Sequence, residues 1–143
     1  MSEHQDSPWY FGNAQAPMGE FVIEYDYLSE IAMGSPLAGV CFLHTPNGAR
    51  LQLHDFAAGP AIWNASGTRV AFPGWTPYRQ QQLCLVDIMA KTLTVFTKIF
   101  RVLEIKECKG DHIIGVDSPI FQPIDFSINI HEEDKQSITP LVF

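Results

Sequence analysis

Two histidine–aspartate pairs, three cysteines, a serine–glycine turn and an acidic triplet are the residues of this chain with the chemistry to catalyse or to bind a metal. His54-Asp55 and Asp111-His112 could serve as acid–base pairs, or open a metal site of the histidine–aspartate phosphohydrolase kind. That site needs a helical setting and further histidine ligands. Both pairs instead fall where strands are expected to end, which gives them surface or turn roles. Cys41, Cys84 and Cys108 are odd in number and far apart, with no CxxC or Cys/His spacing that would suggest zinc. Cys41 and Cys84 lie inside apolar runs and read as buried thiols. Cys108 stands between Lys106 and Lys109, which could lower its pKa, but no partner base is identifiable. Ser66-Gly67 lacks the G-x-S-x-G pattern of a nucleophile and reads as a turn. Glu132-Glu133-Asp134 reads either as a cation or basic-partner site or as solvated surface. No catalytic set, metal or cofactor is expected.

The most informative candidate is a binding segment. Pro73 to Gln82 reads as a loop between two strands, and it carries Trp75, Tyr78 and Arg79. These residue types are enriched at interface hot spots, and a loop of that length is unusual in a hairpin. The expected partner-binding residues are therefore Trp75, Tyr78 and Arg79, supported by Glu132 and Glu133. The competing reading folds Trp75 and Tyr78 back over the sheet edge as cover.

The elements that must position these residues are strands. Glu20 to Tyr27 is rich in β-branched and aromatic residues. Leu28 to Met33 fits one helical turn, closed by Gly34 and Pro36. Gly39 to His44 and Arg50 to His54 flank Thr45-Pro46-Asn47-Gly48, whose Asn-Gly pair predicts a hairpin. The centre follows: Pro60 to Trp63, a turn on Asn64, Ser66 and Gly67, then Val70 to Phe72, Leu83 to Ile88 and Thr92 to Thr97. Leu83 to Ile88 is apolar on both faces and predicts a buried strand. Arg101 to Glu107, His112 to Asp117 and Pro123 to Ile130 complete about ten strands, with no long amphipathic helix. The fold class expected is all-β, in antiparallel meander sheets. Residues 1–18 read as a weakly ordered lead-in with one aromatic patch, Pro8 to Phe11, expected to dock on the domain. Residues 19–130 read as a single β domain and 131–143 as a charged C-terminal tail. The strands Phe21–Tyr25 and Ile124–Ile130 are expected to share a sheet.

The central segment resembles a blade of the TolB-type and WD40-like β-propeller repeat. Trp63, the turn Asn64-Ala65-Ser66-Gly67, the strand Val70-Ala71-Phe72, and Leu83, Leu85, Val86 and Asp87 carry the resemblance over about 38 residues, 60–97. It implies sheets of propeller-blade type, with Trp63, Val70, Phe72, Leu83 and Leu85 turned inward. About three such sheets fit, too few for an ordinary closed propeller. A stacked pair of sheets, an arc, or an assembly closed by a second chain are the alternatives. Such blades serve mostly as binding scaffolds, so the resemblance implies no chemistry of its own.

Charge and length set the remaining bounds. The 143 residues can bury a real core. The net charge of −7 is uneven: residues 68–109 hold seven basic residues against three acids, while both ends are acidic. That sign disfavours a nucleic-acid partner and permits a basic protein partner. No apolar run reaches the length of about 20 residues that spans a bilayer. The polar N-terminus and the unpaired cysteines suggest the cytoplasm, or the periplasm if a leader was removed. The expected function is a non-catalytic protein-binding module, such as a bacterial immunity-type inhibitor that binds and blocks a toxin. Two alternatives stand beside it: a small ligand-binding protein or hydrolase with an Asp/His-lined cleft, and a subunit, homo-oligomeric or otherwise, that completes a larger β assembly.

Overall fold

The computed structural model describes residues 11–17, 19–30, 37–120 and 122–143, with the side chains of Glu30 and Leu37 outside that description. Twelve strands follow in order: β1 (Ala14–Gln15), β2 (Val22–Glu30), β3 (Leu37–His44), β4 (Arg50–Ala57), β5 (Ile62–Trp63), β6 (Arg69–Trp75), β7 (Gln81–Asp87), β8 (Thr92–Phe96), β9 (Leu103–Lys109), β10 (His112–Asp117), β11 (Ile124–Asn129) and β12 (Lys135–Pro140). All pairings are antiparallel. Nine strands form one sheet in the order β1-β2-β3-β4-β6-β7-β8-β12, with β5 paired to β6; the other three form a sheet in the order β11-β10-β9. The fold is all-β, as the hairpin spacing predicts. Among the described residues no helix is long and apolar enough to cross a membrane.

The large sheet curls on itself without closing into a barrel. Trp63 Nε1 of β5 donates to the Ala14 carbonyl of β1 at 2.9 Å. Phe21, at the start of β2, meets Phe143, beyond β12, edge to face at 5.8 Å. The concave side holds one core, with Ile23, Tyr25, Cys41, Leu43, Val70, Phe72, Cys84 and Val86 among its members. A second core lies on the convex side, where the three-stranded sheet covers β6 and β7: Ala71, Leu83 and Leu85 meet Leu103, Ile105, Ile113, Phe126 and Ile128. Strands β6 and β7 are therefore buried on both faces, which is why Leu83 to Val86 is apolar without alternation. The five residues expected to turn inward are divided. Val70 and Phe72 enter the first core, Leu83 and Leu85 the second, and Trp63 is only half-buried.

Gln81 joins the two sheets. It is 1% exposed. Its backbone N–H and C=O exchange hydrogen bonds of 2.8 Å with Phe100, and its Oε1 accepts from the Leu103 N–H. A buried amide so satisfied fixes where the second sheet begins.

Several expectations are corrected. Leu28 to Glu30 continue β2 instead of opening a helical turn, because the strand passes a bulge at Tyr27 (φ 54°) and resumes pairing at Ser29↔Ala38; residues 31–33 lie outside the described residues. Residues 131–143 are not simply a charged tail, since Lys135–Pro140 form β12 against β8. Strands β2 and β11 belong to different sheets. Of the lead-in, residues 1–10 lie outside the described residues, while Phe11 packs edge-on to Tyr25 at 5.1 Å and β1 pairs with β2. The segment 73–82 is not one long loop: β6 runs on through Pro73 and Gly74 to Trp75. Proline fits there because its carbonyl faces Ala58, accepting that N–H at 2.9 Å. Its nitrogen therefore points to the same side, away from the ladder with β7 that a missing donor would break.

Candidate functional site

With β6 extended, the connection to β7 shrinks to Thr76-Pro77-Tyr78-Arg79-Gln80. The Thr76 N–H donates to the Gln80 carbonyl at 2.7 Å, and the Arg79 N–H to the Thr76 carbonyl at 3.1 Å. Thr76 Oγ1 accepts from the Tyr78 and Gln80 N–H groups at 3.2 and 3.3 Å. Arg79 adopts the left-handed conformation, φ 61°. The hairpin turn between β3 and β4 is built the same way. In Thr45-Pro46-Asn47-Gly48-Ala49, the Thr45 N–H donates to Ala49 and the Gly48 N–H to Thr45, each at 3.0 Å. Thr45 Oγ1 accepts from the Ala49 N–H at 3.0 Å, and Gly48 takes the left-handed position at φ 89°. The two turns are one motif, with Tyr78-Arg79 standing where the first has Asn47-Gly48.

The five expected binding residues separate on this frame. Tyr78 is 83% exposed at the tip of its turn, beside Arg79. Trp75 is not an accessible anchor. It is buried, packed with Ala38, Ala58 and Phe11, because it belongs to the strand and not to the loop. Glu132 and Glu133 occupy the turn after β11, where both N–H groups donate to the Asn129 carbonyl at 3.2 and 3.0 Å. Glu132 is exposed and Glu133 half-buried. The acidic turn leads into β12, two strands from β7 and at the same end of the sheet, as Gln82 of β7 hydrogen-bonds Gln136 of β12 at 2.6 Å. Among the described residues no hydrogen bond or ion pair joins Tyr78 or Arg79 to Glu132 or Glu133.

The residues with catalytic or metal-binding chemistry are held in structural roles. His54 Nδ1 accepts the Phe56 N–H at 2.9 Å, while Asp55 Oδ1 is 3.9 Å away with its side chain in solvent. Burial depresses the His54 pKa, against the opposing charge of Asp55. Asp111 turns away from its sequence neighbour His112. Its carboxylate pairs with Arg69 and His131, each at 3.2 Å, and the Arg69 hydrogen bond leads in holding it below the usual carboxylate range. Arg69 also reaches Asp87 at 3.4 Å and the Gly110 carbonyl at 3.3 Å. It thus ties β6 to the β9–β10 hairpin, a cluster that sequence could not reveal because the partners of Arg69 lie 18 to 42 residues from it. Cys108 is buried, and burial pushes its thiol up to about 11 against the opposing pull of Arg69. Of the neighbouring lysines, Lys106 turns to Glu104 at 3.9 Å. Burial likewise pushes Cys84 up to about 12 and Cys41 well above the ordinary thiol range. Asn64 holds the turn expected of it, its Oδ1 accepting from the Thr68 and Arg69 N–H groups at 2.9 and 3.0 Å. Among the described residues no group of three or more His, Cys, Asp or Glu side chains could hold a metal ion.

Compared with protein-family models, with curated proteins and with solved structures, the chain matches none of them.

Proposed function

We propose that this chain is a non-catalytic protein-binding module whose docking point is the Thr76–Gln80 turn. The carrying observation is Tyr78-Arg79 itself. The turn needs a residue that tolerates positive φ, and its twin supplies Gly48. Arginine in that conformation costs about 1 kcal/mol of backbone strain, and a tyrosine 83% exposed beside it contributes little to folding. Both choices suit recognition: tyrosine offers large contact area at low rotamer cost, and arginine a directional charged donor. The net charge of −7 suits a basic partner, with Glu132 and Glu133 steering its approach. An immunity-type inhibitor that occludes a basic toxin is the specific form to test first.

The test is capture of a partner from the native host, followed by measured affinities. Tyr78→Ala should weaken binding by about 2 kcal/mol or more. Glu132→Gln and Glu133→Gln should act mainly on the association rate and its salt dependence. If Tyr78→Ala combined with Arg79→Gly leaves affinity within about threefold while the fold stays intact, the turn is not the docking point.

A further inference from the structure

The four strands that end the two sheets differ in how their edges are protected. β1 has two residues. β12 carries Lys135, Pro140 and a register break between Lys135 and Ser137. β9 carries Lys106 and Lys109 and a bulge opposite Ile114 and Gly115. Short length, lysine, proline and bulges are the usual means of discouraging strand addition. β11 has none of them: its six residues run in unbroken register with β10, from Asn129↔His112 to Ile124↔Asp117.

The unpaired groups on β11 can be assigned. The Ile130 N–H donates to the Asp111 carbonyl at 2.9 Å, one rung beyond Asn129↔His112. Even-numbered residues therefore direct their N–H and C=O toward β10, and Asp125, Ser127 and Asn129 direct theirs outward. The Asn129 carbonyl is taken by Glu132 and Glu133. The N–H groups of Asp125, Ser127 and Asn129 and the carbonyls of Asp125 and Ser127 have no partner within the chain among the described residues.

The two faces beside this edge differ. On the inner face Phe126 and Ile128 are buried, but Ile124 is 65% exposed, so apolar surface continues to the edge. On the outer face a groove of ≈ 590 Å³ runs over Ile114 and Val116 between Lys106 and Asp125. Glu104 and Glu107 share that face through their pairing with Val116 and Ile114, and Lys106 is drawn to Glu104 at 3.9 Å. Lys109 lies on the same face through its pairing with His112, at the end away from Asp125. Three carboxylates thus stand against two ammonium groups, and the Asp125 end is the acidic one.

We propose that β11 is a strand-addition site for an extended segment of another protein in which apolar and basic residues alternate. The backbone would continue the ladder, apolar side chains would cover Ile124, and basic side chains would meet Asp125 on the outer face. A second copy of this chain fits less well. Pairing β11 with itself brings two Asp125 carboxylates onto one face, between partners that each carry −7. The site does not depend on the Tyr78 turn.

The experiment uses the full chain, isotopically labelled, and two synthetic hexapeptides, Lys-Val-Lys-Ile-Lys-Val and Glu-Val-Glu-Ile-Glu-Val. The basic peptide should protect the Asp125 and Ser127 amides from hydrogen exchange and bind at least about tenfold more tightly than the acidic one. Ser127→Pro removes an outward N–H without touching the β10 ladder and should abolish protection. Asp125→Lys, a surface change that keeps the backbone, should reverse the preference between the peptides. Equal binding of both peptides, protection elsewhere, or no response to Asp125→Lys would overturn the proposal. So would a dimer dissolved by Ser127→Pro, which would make a second copy the occupant. Tyr78→Ala should leave peptide binding unchanged, so this site and the turn fail or stand separately.

Discussion

The turns Thr45–Ala49 and Thr76–Gln80 share two backbone hydrogen bonds, a threonine hydroxyl that accepts the closing N–H, and their proline, yet they differ at the two positions between. The first places Asn47 at the tip and Gly48 in the left-handed position; the second places Tyr78 and Arg79 there. The first is what turn formation alone favours. The second is less favourable for the turn, and its two residue types are ones enriched at interface hot spots. One scaffold thus separates what the fold requires from what it tolerates, and the tolerated departure is where a function is best sought.

The largest effect on stability should lie outside both turns, in the strand leading to the second. Phe72 is fully buried, and Phe72→Ala should cost about 3–5 kcal/mol in a denaturant titration. A loss below about 1 kcal/mol would mean that β6 does not anchor the turn it carries. Within the turns, Gly48→Arg should destabilise by about 1–2 kcal/mol and Arg79→Gly should stabilise by about 0.5–1 kcal/mol. A Cβ at position 48 would meet nothing within 4 Å, so backbone strain leads the cost of that substitution. Effects of the same sign at both positions would break the equivalence of the turns. Thr45→Val and Thr76→Val each remove a hydroxyl acceptor and should each cost about 1 kcal/mol. No measurable loss at one of them, measured side by side, would show that its hydroxyl does not hold that turn.

The smallest effect concerns His54, where the strand after the first turn meets the strand before the second. A Cβ on Gly74 would fall 2.7 Å from His54 Nε2 and 2.9 Å from Cys84 Sγ, so glycine makes room for the imidazole. The His54 pKa is lower folded than unfolded. The unfolded chain therefore takes up the proton first as pH falls. This contribution is fully present above the unfolded value of about 6.5 and is lost as pH falls from there toward the folded pKa. Stability measured across that window should decline toward acid in the wild type and decline less in His54→Gln. Parallel profiles would show that His54 titrates as freely folded as unfolded.

The candidate site was half legible in the sequence. Tyr78 and Arg79 were identifiable by residue type, and the structure leaves Tyr78 exposed in a tight turn. The sequence leaves Trp75 open between a loop anchor and cover for the sheet because Pro73-Gly74 looks like the end of a strand. Proline ends a strand only when its nitrogen faces a partner, and facing is a property of the assembled sheet. The twin turns went unmatched because Asn-Gly signals the first, while Tyr-Arg carries no turn signal. β12 was invisible for a related reason: all six of its residues are exposed, so no alternation marks it, and only the ladder with β8 makes it a strand.

Composition and periodicity determined that the chain would be all-β, that Asn47-Gly48 would turn a hairpin, and that Leu83 to Ile88 would be buried on both sides. These follow from local dihedral preference and from the need to hide apolar side chains, and both are written residue by residue. Only the tertiary structure decided that, among the described residues, twelve strands divide nine to three, that Gln81 joins the sheets, that Arg69 gathers Asp87 and Asp111, and that the outward backbone groups of β11 have no partner. Each of these depends on which backbone groups and side chains meet across long sequence separations. A hydrogen bond or ion pair fixes such a meeting, but neither partner's neighbours in the chain announce it.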